Sequence, residues 1–353
     1  MERSVSGVVC FTSFSYAYLP RARVLAQTLR QAQPDWRIWG LLVDKSPPGA
    51  ADLDAFADFD RLIDAEELLL PRFRPWIFKH NVVEACTAVK AAMMQYLFRI
   101  GAEKVVYFDP DVAVFHSLAP LEETLATASI VLTPHQTAPD YDPQALRDNE
   151  MASLRFGIYN LGFIAVRNDE VGQEFAQWWA GLLREACYEE PTATGRFTDQ
   201  RYCDLLPALF DRVTIERDPG WNVASWNLSR RQIRVLPSGG IVANGSPLRF
   251  YHFSKSGGDG DVMTDRYAGD NYEVLEIWSW YKRRLAANAV AGLPEDWWYY
   301  GMFSDGEKIP AAVRMYYRGR PDLMEHFDDP FDVSGDSLRA WVRRERPDLL
   351  RAG

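Results

Sequence analysis

The run Val105-Val106-Tyr107-Phe108-Asp109-Pro110-Asp111-Val112-Ala113-Val114-Phe115 decides how the rest of the chain is read. It is an apolar strand that stops abruptly at two carboxylates one residue apart and then resumes. A buried strand ending in Asp-x-Asp sets two hard oxygen ligands in the crevice beyond its carboxyl end, where open α/β sheets bind ligands. The chain has five Asp-x-Asp triplets, so the triplet alone means little. Asp52/Asp54, Asp58/Asp60, Asp140/Asp142 and Asp259/Asp261 lie in polar or Gly-rich surroundings and read as solvated loops or helix faces. Only Asp109/Asp111 follows a run of buried-strand character, which makes it the candidate Mn²⁺ or Mg²⁺ site, with a strand-ending turn as the alternative.

Outward from that strand, short apolar runs alternate with helical periodicity. Strands are expected at Val8–Thr12, Ile38–Val43, Leu62–Ile63, Ile130–Thr133, Leu161–Val166, Val213–Ile215, Ile233–Leu236 and Leu248–His252. Pro20 can open a helix after the first strand. Asn81–Ile100 carries apolar residues at helical spacing with Gly101 as its stop, and further helices fit Asp169–Glu185 and Thr198–Leu209. The alternation predicts a largely parallel sheet with helices on both faces. Past residue 270 come a helix at Glu273–Ala289, the aromatic run Trp297-Trp298-Tyr299-Tyr300-Gly301-Met302-Phe303, and an amphipathic helix at Ser334–Arg344 with Ser334 as its cap. Residues 1–268 therefore read as the α/β domain and 269–353 as a helical, aromatic C-terminal extension packed on it, its aromatic cluster serving as filler.

Bulk properties describe a water-soluble, enzyme-sized chain. At 353 residues, 47% hydrophobic and 25% charged, it can bury a substantial core. A net charge of −10 without a long Lys/Arg block argues against nucleic acid as partner. No apolar stretch approaches the roughly 20 residues that span a bilayer. The start, Met1-Glu2-Arg3-Ser4, does not resemble a signal peptide. Cys10, Cys86, Cys187 and Cys203 are scattered and read as reduced core residues of a cytoplasmic protein. Lys282-Arg283-Arg284 and Arg343-Arg344 are basic patches suited to a peripheral contact with the inner membrane face, although such patches are usually solvated helix faces. Gly-x-Gly-x-x-Gly, the P-loop and the Gly-x-Ser-x-Gly elbow are all absent, and the five histidines lack zinc spacing.

Four further clusters carry polar chemistry. Phe156-Gly157-Ile158-Tyr159-Asn160-Leu161-Gly162-Phe163 lets a ligand approach the backbone and offers the Asn160 amide, or else is a tight turn. Phe197-Thr198-Asp199-Gln200 sits at a helix start, where Thr198 or Asp199 would serve as cap. Trp221, Asn222, Trp226 and Asn227 combine rings and amides suited to a sugar acceptor, with a Trp-anchored structural loop as the alternative. Phe250-Tyr251-His252-Phe253-Ser254-Lys255-Ser256-Gly257-Gly258 ends a strand in His, Lys and flexible amides, as a diphosphate would need.

Taken in this order, the first strand with its polar loop, Lys90, Asp109-Pro110-Asp111, Tyr159-Asn160-Leu161-Gly162-Phe163, Thr198-Asp199-Gln200 and His252 resemble the GT-A (Rossmann-like) glycosyltransferases. The likeness is in particular to the retaining, metal-dependent family 8 type, and the chain is also similar to bacterial surface-polysaccharide glycosyltransferases. The likeness covers roughly residues 7–260. It departs at the last motif, where His252-Phe253-Ser254-Lys255-Ser256-Gly257 replaces a His-x-x-Gly-x-x-Lys-Pro-Trp ending. The resemblance implies a nucleotide-sugar-binding catalytic domain over 1–268 and transfer of a sugar to a glycan or lipid-linked glycan. Asp109, Asp111 and His252 would hold Mn²⁺ or Mg²⁺. Thr12, Ser13, Tyr16, Lys90, Asp109, Asn160, Gly162, Lys255 and Gly257 would contact the donor, expected to be a UDP-sugar with GDP and dTDP still open. Asp199 and Gln200 would be the catalytic pair at the sugar. The alternative is an inactive scaffold of the same fold that binds a sugar or a protein.

Overall fold

The computed structural model describes residues 5–48 and 53–351; Asp52 and residues 1–4, on which the leader reading rests, lie outside them. The strands in chain order are β1 (Val8–Phe14), β2 (Arg37–Leu42), β3 (Arg61–Asp64), β4 (Lys104–Phe108), β5 (Val112–Val114), β6 (Ile130–Pro134) and β7 (Tyr159–Arg167). A hairpin of β8 (Glu189–Glu190) and β9 (Arg196–Phe197) follows, then β10 (Val213–Ile215) and β11 (Val223–Ala224). The meander β12 (Ile233–Val235), β13 (Ile241–Ala243) and β14 (Ser246–Pro247) precedes β15 (Phe250–His252).

Seven strands form the central sheet in the order β10-β6-β7-β4-β1-β2-β3. The fold is α/β with a mainly parallel sheet flanked by helices, as expected. All seven β1 residues are buried, because both sheet faces are covered. Val9, Phe11, Val105 and Tyr107 enter one apolar core, while Val8, Cys10, Val106 and Phe108 enter the other. The exception to parallel pairing is β7, which runs antiparallel to both β4 and β6. Its start therefore lies beside the end of β4, which brings the Asn160 segment to the acidic pair.

Other differences from the sequence reading are local. The expected helix Asn81–Ile100 is two helices, Val82–Ala88 and Lys90–Arg99, joined at Val89. An Asn81–Glu84 capping box opens the first, and Gly101, at φ 102°, ends the second. No helix begins at Thr198, whose φ of +44° is left-handed; only short helical turns follow, at Arg201–Leu205 and Leu206–Leu209. The final helix, Leu338–Glu345, is capped by Ser337, whose side chain accepts from the Ala340 N–H, rather than by Ser334.

Residues 269–351 share their cores with the rest of the chain. Helix Tyr272–Ala287 packs on the small sheet β11-β15-β5 through Val274, Trp278 and Tyr281. Trp298, Tyr300 and Phe303 lie in the same core as Val9 and Phe11. The Trp297 and Trp298 indoles donate to the Lys45 and Val43 carbonyls at 2.8 and 3.0 Å, clasping the end of β2. In the basic patches, Lys282 pairs with Asp261 at 3.0 Å and Arg344 with Glu345 at 2.7 Å. No helix among the described residues is long and apolar enough to cross a membrane.

Candidate active site

Asp109-Pro110-Asp111 forms a turn closed by the Val112 N–H donating to the Asp109 carbonyl at 3.1 Å, with proline at its favoured second position. The Asp109 N–H donates to the Gly162 carbonyl at 2.9 Å, tying the turn to β7. Beyond the turn, β5 pairs antiparallel with β15 in a register that sets His252 opposite Val112. That register delivers a histidine from late in the chain to the acidic pair. His252 Nε2 lies 3.0 Å from Asp111 Oδ1 and 3.9 Å from Asp109 Oδ2.

The three side chains offer ligand atoms within 4.8 Å of one another and can hold a metal ion. The 3.0 Å separation matches the edge of an octahedron with bonds of about 2.1 Å, as Mg²⁺ and its relatives prefer. His252 Nδ1 lies 3.1 Å from Asn160 Oδ1. An amide oxygen only accepts, so Nδ1 carries a proton; a ring deprotonated at Nε2 would present that lone pair to a metal ion shared with the carboxylates. Asn160 is held in turn by the Asn222 amide, which donates to its Oδ1 at 3.0 Å and to Thr133 Oγ1 at 2.8 Å. Gly162 makes room for the ring: a Cβ there would stand 2.3 Å from His252 Cε1 and 2.7 Å from Nδ1. Without a metal, burial disfavours the charged imidazole, yet the nearby Asp111 outweighs it and raises the His252 pKa. Burial likewise pushes Asp111 upward, but the His252 partner wins and holds it below the usual carboxylate range.

Lys90 lies behind this cluster, 1% exposed. Its ammonium is 3.2 Å from Asp109 Oδ1, 2.9 Å from Asp199 Oδ2 and 3.0 Å from the Leu161 carbonyl, and sits 4.1 Å from the Tyr107 ring centre. Burial favours a neutral amine; the two carboxylates overcome it and keep Lys90 charged, with its pKa above the ordinary lysine value. Tyr107 donates to Asp109 Oδ1 at 2.7 Å. Lys90 and Tyr107 thus both hold Oδ1, and Oδ2 is the oxygen turned toward His252. Asp199 is 2% exposed and accepts from Thr198 Oγ1 at 3.1 Å; burial raises its pKa against the opposing pull of Lys90.

The other candidates divide by position. Gln200 has both ends of its amide engaged, Oε1 accepting from the Leu161 N–H at 3.0 Å and Nε2 donating to the Phe156 carbonyl at 2.9 Å. Thr12 and Ser13 lie buried at the end of β1; Ser13 donates to the Cys86 carbonyl, and Thr12 Oγ1 has no partner. The Tyr16 N–H donates to Asp44 at 3.0 Å, and its ring meets Phe56 edge-on. Trp226 stands edge-on to His252 at 5.2 Å with its indole N–H unpartnered. Trp221 is instead closed in by Phe163 and Phe250 at 3% exposure, and Asn227 bonds back to its own loop at Ala224 and Asn222. These two anchor the loop, so the Trp-anchored alternative describes them better than acceptor binding. Lys255 does not turn to the cluster either: its exposed ammonium lies 3.4 Å from Asp259, and the Gly257 N–H donates to Asp261 at 2.9 Å.

Sequence reading missed several members. His135, whose ring faces Trp226 at 5.4 Å, lies with Nε2 3.3 Å from the Asn160 amide; burial lowers its pKa to about 4 and keeps it neutral. Tyr107 looked like an ordinary strand residue. A tyrosine two residues before the first carboxylate, on the same strand face as Asp109, was the one available signal.

No protein-family model matches the chain. The uncharacterized protein YfnF of Bacillus subtilis (strain 168) is 29% identical over 174 residues, which are 48% of this chain and 56% of that protein. The chain thus spans about half the length of the curated relative it matches. Among solved structures, the galactosyltransferase LgtC with donor and acceptor sugar analogs superposes at a TM-score of 0.46 and 15% identity, over 82% of this chain and 98% of that one. Mouse xyloside xylosyltransferase 1 gives 0.42 at 14% identity, over 70% and 98%. The bifunctional glycosyltransferase WbbM gives 0.40 at 15% identity, over 65% and 41%.

Proposed function

We propose that this chain is a metal-dependent glycosyltransferase of GT-A type that moves a sugar from a nucleoside-diphosphate sugar, of which a UDP-sugar is the first expectation, to a hydroxyl of a glycan or glycolipid. One observation carries the reading: Asp109 Oδ2, Asp111 Oδ1 and His252 Nε2 converge at the sheet's ligand-binding edge, with the histidine tautomer set by Asn160. Two carboxylates and one imidazole suit Mn²⁺ or Mg²⁺, which would act as Lewis acid for the departing diphosphate.

The chain's own residues supply the rest. Lys90 fixes Asp109 and Asp199 on either side of one buried cation, so neither carboxylate is free to swing. Asp199 and Gln200 lie beside the Asn160 segment, where the donor sugar would rest. A neutral, fully engaged Gln200 amide is a poor nucleophile, and the Asp199 carboxylate is shared between Lys90 and Thr198. This favours attack by the acceptor hydroxyl on the face the diphosphate leaves, the phosphate oxygen taking the proton, with retention of configuration. Trp226 offers its edge and indole N–H as the acceptor-side contact, with Asn222 behind it.

The test is calorimetric titration of UDP, GDP and dTDP, each with and without Mn²⁺, into the wild type and Asp111→Ala. The expected result is metal-dependent binding of one nucleotide that disappears in the variant. Failure of all three to bind the wild type would refute the proposal.

A further inference from the structure

His135 is a half-buried ring that the proposed function leaves without a role. It follows β6 directly, where the register with β7 shifts between Leu132 and Pro134, an irregularity of the kind that re-aims a side chain. Asn227 braces the segment, its amide donating to the His135 carbonyl at 3.3 Å. The imidazole is pinned at both nitrogens. Nδ1 lies 3.2 Å from the Ile158 carbonyl, and Nε2 lies 3.3 Å from Asn160 Nδ2. Trp226 stands edge-on to both histidines, its ring centre 5.4 Å from that of His135 and 5.2 Å from that of His252.

The protons in this network are fixed by the hydrogen-bond partners alone. The Gly162 N–H, which can only donate, lies 3.2 Å from Asn160 Oδ1, so that atom is the amide oxygen. The Asn222 amide and His252 Nδ1 meet the same oxygen at 3.0 and 3.1 Å. The amide nitrogen of Asn160 therefore faces His135, whose Nε2 is a bare acceptor and whose proton sits on Nδ1, donated to Ile158. The other acceptor for that nitrogen, Gln200 Oε1, is 3.5 Å away and already takes the Leu161 N–H at 3.0 Å. We infer that His135 is a positioning residue of the metal site, its bare Nε2 holding the Asn160 amide in the orientation that presents Oδ1 to the His252 Nδ1–H. The inference rests on the proposed function and goes beyond it in naming what holds the holder of the metal-ligating ring. Two histidines share one amide, His252 at its oxygen and His135 at its nitrogen. Without His135, the 7%-exposed Asn160 keeps only the distant Gln200 acceptor at its nitrogen, and the amide can turn its oxygen away from His252.

The experiment combines Mn²⁺ titration calorimetry with ¹⁵N NMR of the histidine rings in the full chain. In the metal-free wild type, the ring whose signals vanish in His135→Gln should show the Nδ1–H tautomer. His135→Phe keeps a ring edge against Trp226 and removes the lone pair. It is expected to weaken Mn²⁺ about three- to tenfold, less than the roughly 10- to 100-fold that follows loss of a ligating histidine's direct partner. His135→Gln, whose carboxamide oxygen can accept in place of Nε2, should bind Mn²⁺ within about twofold of wild type. A side chain that served only to pack on Trp226 would give neither that loss nor that recovery. In an Asn160→Ala background, His135→Phe should add no further loss, because its effect passes through that amide. An Nε2–H tautomer at His135, or a folded His135→Phe that binds Mn²⁺ like wild type, would overturn the inference and leave the proposed function standing. A wild type that binds no Mn²⁺ would remove both.

Discussion

Replacing Gly162 by alanine tests whether the His252 tautomer and position are what make the metal site. The new Cβ would lie 2.3 Å from His252 Cε1, 2.7 Å from Nδ1 and 2.8 Å from Asn160 Oδ1. Ordinary contact begins at 3.4 Å, so the ring has to retreat by about 1.1 Å, the difference between 3.4 and 2.3. Both partners of the 3.1 Å Nδ1–Oδ1 hydrogen bond are crowded at once, and the bond does not survive. Loss of such a partner to a ligating histidine costs about 10- to 100-fold in metal affinity, or roughly 1.4–2.8 kcal/mol. Overpacking the site adds about 1–3 kcal/mol of destabilisation. Mn²⁺ titration calorimetry reads the first quantity, and urea unfolding of the metal-free protein reads the second. Gly162→Ala binding Mn²⁺ within about twofold of wild type would refute this account of the histidine's placement.

Lys90→Met leaves the buried Asp199 and the adjoining Asp109 without their shared cation. Urea unfolding at pH 8 should show a loss of about 3–5 kcal/mol, as for a buried pair missing one partner, and the deficit should shrink at lower pH as Asp199 takes a proton. Asp44, 1% exposed, accepts from the Tyr16, Lys45 and Tyr299 N–H groups, and burial pushes its carboxyl up to about 7 against those bonds. The native state then holds a proton that the unfolded chain has already released above its pKa of 3.8, so this group makes stability fall as pH rises from about 4 to 7, by at most on the order of 4 kcal/mol. Asp44→Asn should flatten that slope in thermal unfolding measured from pH 4 to 8; an unchanged slope would count against it.

Much of the fold could be read from the chain because its signals are local. The apolar runs that became β1 and β4 are buried on both faces and carry their own strand signature, and Gly101, at φ 102°, stops its helix by conformation alone. Asp109-Pro110-Asp111 was legible for the same reason: a strand, a turn proline and two carboxylates are contiguous. What sequence left open depended on register and direction. The antiparallel course of β7 carries Asn160 and Gly162 to the end of β4, and the pairing of β5 with β15 sets His252 opposite Val112. Nothing local to either segment encodes those neighbours. The difference between Trp221, sealed among Phe163 and Phe250, and Trp226, turned to His252, is likewise made by what packs around two similar loop residues. So, too, the pattern named Lys255 as the cation, whereas the folded chain pairs it with Asp259. Sequence determined which side chains were available for this chemistry; long-range packing decided which of them lie together, because strand pairing is set by contacts between segments far apart in the chain.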